Sequence, residues 1–148
     1  MNEPATLDRD GIAARIPHAG SMCLLDALLS WDAEHVRCRA TGHTDPAHPL
    51  RVAQGLLAPV AIEYASQAMA LHGALTAGGI AQVPGYLSSL RGVRMDAERL
   101  DDIADPLTVD AQALVAESRG FIYRFAVAAA GRMLLSGQAT IVIPEDPA

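Results

Sequence analysis

Hydrophobic and polar residues change rhythm along this chain, and each change marks an element. From Met22 to Trp31 the run is rich in leucine, and Asp32-Ala33-Glu34 then reads as a polar turn. His35 to Thr41 alternates, with Val36, Cys38 and Ala40 on one face and Arg37, Arg39 and Thr41 on the other. Period two predicts a half-buried strand, paired as a hairpin with the run before it. Gly42 to Gln54 breaks the pattern with His43, Asp45, Pro46, His48, Pro49 and Arg51, a loop by composition. From Val60 to Leu75 almost every position is apolar or small, with Pro59 tolerable in a first turn and Gly78-Gly79 as a stop. Such a helix, apolar nearly all round, must be wrapped by other structure on most sides.

Strand rhythm returns afterwards. Gly85 to Val93 is one run, ending in an arginine-rich segment, and Asp96 to Pro106 is a loop. Leu107, Val109, Ala111, Ala113 and Val115 then line one face. After a turn at Ser118-Arg119-Gly120, Phe121, Tyr123, Phe125, Val127 and Ala129 do the same. Beyond Gly131 the pattern repeats at Met133, Leu135, Gly137, Ala139, Ile141 and Ile143. Two strands, one long buried helix and three or more antiparallel strands predict an α+β fold, with a sheet wrapped around a central helix. Residues 1–14 read as a leader or short helix. With 148 residues and no repeat or linker, residues 1–148 read as one domain.

Composition narrows the function. Hydrophobic residues make up 51% and charged ones 19%, which describes a globular chain. Eleven basic residues against 17 acidic ones give a net charge of −6, which argues against nucleic acid as a partner. The apolar stretch around Gly55 to Leu75 is interrupted by Glu63, Gln67 and His72, so no membrane span is expected. Met1 to Arg15 lacks the apolar stretch of a signal peptide, and a cytoplasmic location follows. Cys23 and Cys38 read as buried hydrophobes. Neither a dinucleotide nor a phosphate-loop glycine motif occurs, nor a serine-hydrolase elbow. His43, Asp45 and His48 have only weak spacing for a metal site.

Within the helix one residue demands explanation. A carboxylate at Glu63 is costly in so apolar a setting unless it is paired or protonated. Gln67, four residues on, shares its face.

Three segments carry a resemblance. Ile16-Pro17-His18-Ala19-Gly20-Ser21-Met22-Cys23-Leu24-Leu25-Asp26 is similar to the opening motif of the hotdog-fold beta-hydroxyacyl-ACP dehydratases. Ile62-Glu63-Tyr64-Ala65-Ser66-Gln67-Ala68 resembles the Ile-Glu-Ala-Met-Ala-Gln of that family's central helix, and Arg94 to Leu107 loosely resembles a third segment. The form Pro-His-x-x-x-Met-x-Leu-Leu-Asp looks closer to a divergent branch that accompanies aryl-polyene-type pathways. The family's histidine sits in Gly-His-Phe-Pro. Here the corresponding stretch is His48-Pro49-Leu50-Arg51, shifted by one residue and without the glycine.

The resemblance implies dehydration of 3-hydroxyacyl thioesters on acyl carrier protein to the trans-2-enoyl product. One group removes an α-proton and another protonates the departing hydroxyl. Glu63 fits the carboxylate, with a structural acid as the plain reading. His48 fits the base, reaching Glu63 across a dimer interface, unless it is an ordinary loop histidine. His18 either lines the tunnel, replaces the base or makes a structural hydrogen bond. Ala58 stands where the family has a glycine, and its N–H is expected to polarise the thioester carbonyl. Gln67 either bonds Glu63 or makes a helix–strand contact, and Tyr86 either gates an acyl tunnel or is a core aromatic.

Arg91, Arg94 and Arg99 form the densest positive segment. They are solvated strand ends or a docking patch for the acidic carrier protein. The chemistry needs neither cofactor nor metal. A homodimer or a heterodimer with a paralogue is expected, because a lone hotdog leaves a sheet edge uncovered. Two rivals stand beside this reading: a catalytically weak subunit partnering an active paralogue, and a hotdog acyl thioesterase.

Overall fold

The computed structural model describes residues 7–16, 22–78, 85–117 and 119–143. Among these residues seven strands form one antiparallel sheet. They are β1 (Leu7–Asp8), β2 (Ala27–Trp31), β3 (His35–Ala40), β4 (Tyr86–Met95), β5 (Leu107–Glu117), β6 (Gly120–Ala129) and β7 (Arg132–Val142). The helices are α1 (Arg9–Ala13) and α2 (Ala61–Thr76). In space the strands run β1-β2-β3-β5-β6-β7-β4. The chain therefore leaves the sheet after β3, passes through α2 and re-enters at the far edge as β4. That crossover lays α2 against β3, β5 and β6, the hotdog arrangement that the sequence led us to expect.

The alternation in β3 is realised: Val36, Cys38 and Ala40 are buried, and Arg37 and Arg39 are exposed. Leu107, Val109 and Ala111 of β5 and Tyr123, Phe125, Val127 and Ala129 of β6 extend the same core. Onto it α2 lowers Tyr64, Ala65, Ala68 and Leu71. Its alanines favour the helix intrinsically and let its backbone approach the sheet closely. A 3-10 turn at Ala58–Val60 carries Pro59 into α2, and Gly78 at φ +81° follows its C-terminus.

Several expectations are corrected. The strand expected from Met22 is β2 and begins at Ala27, because a side chain of α2 claims the backbone of Met22 and Leu24. Leu24 N–H donates to the Gln67 side chain, and Gln67 in turn donates to the Met22 carbonyl. A bulge between Val127 and Ala128 turns Leu134 inward and leaves Met133 44% exposed. Another between Ala113 and Val115 turns Val115 out of the core. Such bulges shift the two-residue rhythm by one and swap faces beyond them.

β4 departs furthest from a strand with one apolar face buried. Among the described residues it pairs only with β7, and nearly every residue from Tyr86 to Met95 is exposed.

Candidate functional site

His48 lies on the loop between β3 and α2 and is buried. Two contacts define its state. The backbone N–H of Leu50 donates to Nδ1 at 3.1 Å, and Nε2 lies 3.0 Å from the Tyr64 hydroxyl. An N–H can only donate, so Nδ1 is the acceptor. The ring proton of the neutral imidazole then sits on Nε2 and is given to Tyr64. Burial lowers the His48 pKa below the ordinary imidazole value, ahead of the opposing influence of Asp45. Burial and then Asp26 raise that of the Tyr64 phenol, which stays protonated.

These two side chains line a pocket of about 130 Å³, together with Cys23, Asp26, Asp45 and Pro49 among others. Asp26 is held by Thr41, whose N–H and hydroxyl both donate to its Oδ2.

Glu63 sits one residue before Tyr64, about 100° round the helix. It is half-buried, on the less covered face of α2 with Ile62, Ser66 and Ala70. The helix residue that His48 meets within one chain is therefore Tyr64, and Glu63 faces elsewhere. Gln67 makes the helix–chain contact: its carbonyl oxygen accepts from Leu24 N–H at 2.8 Å, and its amide donates to Met22 at 2.6 Å.

The expected role of Ala58 does not survive. Its N–H donates to the Glu98 carbonyl at 3.0 Å, part of a short bridge in which Leu57 faces Arg99 and Leu100 N–H donates to Leu56. Pro59 has no N–H, while Val60 and Ala61 donate within the 3-10 turn. From Ala58 to Ala61 the entry to α2 thus offers no spare N–H to a thioester carbonyl.

A buried carboxylate, Asp101, holds that entry in place. It accepts from Leu56 N–H and pairs with Arg51 at 3.2 Å and Arg99 at 2.5 Å. The Arg99 pair, first among several causes, holds the Asp101 carboxyl well below the usual carboxylate range.

The remaining predicted residues are scattered. His18 lies outside the described residues. Tyr86 is 65% exposed at the start of β4, neither in the core nor over the pocket. Arg91 is exposed on the same strand, and Arg94 stands 3.9 Å from Asp96 at an exposed end. Arg99 is committed to Asp101, so the positive segment shrinks to Arg91 and Arg94. His43 is buried, with Nε2 at 2.8 Å from the Ile103 carbonyl. Among the described residues no three His, Cys, Asp or Glu side chains cluster as metal ligands.

The sequence motifs give no role to Tyr64 or Asp101. A signal for Tyr64 was available: it stands where the resembled helix motif has alanine, and a buried tyrosine must find a partner for its hydroxyl. Asp101 sits in a loop whose partners are distant in sequence, and nothing local marks it.

The fold has counterparts among known proteins. The dehydratase heterocomplex ApeI:P from Xenorhabdus doucetiae is similar with a TM-score of 0.80 at 21% identity, over 95% of this chain and 93% of that chain. Cj0977, a sigma28-regulated virulence protein from Campylobacter jejuni, is similar at 0.65 and 14% identity, over 97% and 94%. The E. coli PaaI protein from the phenylacetic acid degradation operon is similar at 0.56 and 13% identity, over 78% and 81%. These likenesses establish the hotdog fold. No curated protein sequence matches the chain. The family model described as ApeP-like, ApeP dehydratase, matches residues 11–148. The chain belongs to the ApeP-like family of dehydratases.

Proposed function

We propose that this dehydratase removes water from 3-hydroxyacyl groups carried on acyl carrier protein in a polyene-type pathway, working in the cytoplasm as one half of a pair with a paralogous hotdog chain. The base takes the C2 proton, the C2–C3 double bond forms, and the C3 hydroxyl leaves as water after protonation by the acid. Glu63 is the carboxylate of that pair.

One observation carries the two-chain part of the reading. Glu63 stands on the half-covered face of α2, whereas His48 is turned to Tyr64 behind it. Within this chain His48 therefore does not complement Glu63, which suits a site shared with a second subunit. The edge of β4, unpaired among the described residues and with Tyr86, Leu87, Leu90 and Met95 exposed, supplies a surface for that subunit, because an open apolar edge is a template for strand pairing. The heterocomplex ApeI:P supports a paralogue as the occupant. Arg91 and Arg94 on the same strand suit the acidic carrier protein. Cys23 and Cys38 are buried and unpaired, in keeping with a reducing compartment.

A second reading is favoured by the spent N–H groups at the entry to α2. In it this chain shapes the site, and the paralogue supplies the histidine and the carbonyl donor.

The test is turnover of 3-hydroxyacyl-ACP by the chain alone and with its paralogue, followed by mass spectrometry. Enoyl-ACP that disappears with Glu63→Gln supports the first reading. Enoyl-ACP from the pair alone, indifferent to Glu63→Gln, supports the second. Free acid in place of enoyl-ACP overturns both in favour of thioester hydrolysis. Arg91→Glu with Arg94→Glu should raise KM for the carrier-protein substrate and not for a pantetheine thioester.

A further inference from the structure

We propose that Arg51 binds the phosphodiester of the pantetheine arm that tethers the substrate to its carrier protein, and that buried Asp101 holds it there. The inference rests on the carrier-bound substrate of the dehydration reading and deepens it by assigning a phosphate subsite.

Two guanidiniums share one carboxylate at the entry to α2. The Asp101 side chain is 2% exposed and lies against both Arg99 and Arg51. Arg99 takes it with a fork: Nε donates to Oδ1 at 2.9 Å and Nη2 to Oδ2 at 2.5 Å. Leu56 N–H also donates to Oδ1, at 2.9 Å. Arg51 stands 3.2 Å from Oδ2 as an ion pair. One negative charge cannot neutralise two positive ones, and Arg99 holds it more closely, so the charge of Arg51 is in excess. Asp102 adds to the negative charge that Arg99 meets. Among the described residues no other carboxylate lies within ion-pair distance of Arg51, whose side chain is 28% exposed. A planar fork of N–H donors, anchored on one side and open to solvent on the other, matches the oxygens of a phosphate.

The place of this cluster in the fold fits that ligand. Val52 and Gly55 exchange backbone hydrogen bonds of 3.0 and 2.9 Å, closing a turn directly after Arg51. Gly55 has φ +114°, and a Cβ there would stand 2.6 Å from Asp101 Oδ1 and 2.9 Å from Arg99 Nη2, so the cluster packs against bare backbone. From that turn the chain runs through the Leu57–Arg99 bridge into α2, with Glu63 in the first turn of the helix. Glu63 follows Leu57 by six residues, about 9 Å at helical rise. Pro59, four residues before Glu63, is exposed, so the less covered face of α2 that carries Glu63 begins at this entry. A pantetheine arm is longer than that rise, which lets a thioester meet Glu63 while its phosphate rests on Arg51.

The experiment compares wild type, Arg51→Gln and Arg51→Lys in the assembled dehydratase, with 3-hydroxyacyl-phosphopantetheine and 3-hydroxyacyl-pantetheine thioesters as substrates. The two differ only in the phosphate. Wild type should show the lower KM for the phosphorylated thioester. Arg51→Gln should raise that KM about 10-fold, the scale of one charge-assisted hydrogen bond, with kcat and the pantetheine thioester unaffected. Arg51→Lys keeps the charge without the fork and should keep part of the preference. Equal KM values in wild type, or Arg51→Gln raising both alike as a purely structural arginine would, overturn the inference and leave the dehydration reading intact. Calorimetric titration of the same assembly with phosphopantetheine needs no turnover, and Arg51→Gln should weaken that binding by the same factor. Inorganic phosphate binding as tightly as phosphopantetheine would show a general anion site and overturn the assignment to the arm. If wild type yields no enoyl product while the titration behaves as stated, the dehydration reading falls and the phosphate subsite stands.

Discussion

The side-chain oxygen of Gln67 accepts the backbone N–H of Leu24 at 2.8 Å, across 43 residues of sequence. With its amide given to Met22, Gln67 ties α2 to the irregular segment before β2. That segment brings Cys23, Leu24 and Asp26 to the pocket. A helix residue that shared a face with the candidate carboxylate in the sequence is thus a clamp on the pocket wall.

Replacing Gln67 with leucine keeps the volume and removes both bonds, leaving the buried Leu24 N–H without its acceptor. The expected loss is about 2–3 kcal/mol in urea denaturation, the cost of an unmade buried bond plus its companion. A loss below about 0.5 kcal/mol would show that the clamp is replaceable by water.

His72 should make stability depend on pH. Its Nε2–H donates to the Asp32 carbonyl at 3.0 Å, and Nδ1 lies 2.8 Å from the Tyr123 hydroxyl. Burial, the largest cause, lowers its pKa and His35 adds to it, while Asp32 and the Ala33 backbone oppose them more weakly. The unfolded chain therefore binds the proton first as pH falls. Stability is complete above the ordinary imidazole value of about 6.5 and declines as pH drops through the lower folded value. Urea midpoints of wild type should fall between pH 7.5 and 5, with a smaller fall in His72→Gln. His48, shifted in the same direction, keeps the residual slope from vanishing.

The hairpin joining β6 to β7 carries avoidable strain. Ala130 at φ +49° and Gly131 at φ +79° form its two-residue turn between the paired Ala129 and Arg132. Both positions of such a turn need positive φ, where asparagine is at ease and alanine is not. Ala130→Asn should raise stability by about 0.5–1 kcal/mol, seen as a higher Tm with unchanged activity. A lower Tm would mean that the side chain meets something its exposure does not suggest.

The edge of β4 gives the assembly prediction. Leu87 and Leu90 are 40% and 39% exposed there. Charging one of them, as in Leu90→Asp, should weaken association with a second subunit while leaving far-UV circular dichroism unchanged. Sedimentation velocity with the paralogue reads the effect. Undiminished assembly would move the interface away from this edge.

Where the chemistry is local, the residues could be read one after another. Alternation in β3 and β6 and the alanine-rich run of α2 determined the elements, because period and propensity act over a few residues. The motif around Glu63 pointed to the dehydratase family for the same reason: its residues are neighbours in the chain. What the tertiary structure alone decided was where individual donors and acceptors are spent. Ala58 loses its N–H to Glu98, and Arg99 its charge to Asp101. Gln67 gives its amide to Met22, and His48 gives its ring proton to Tyr64. Spacing cannot foretell such pairings. Each closes a loop of the chain, and burial leaves every polar group needing whichever partner the packing brings near. The face on which a strand residue falls after a bulge is decided in the same way, as Met133 and Leu134 show.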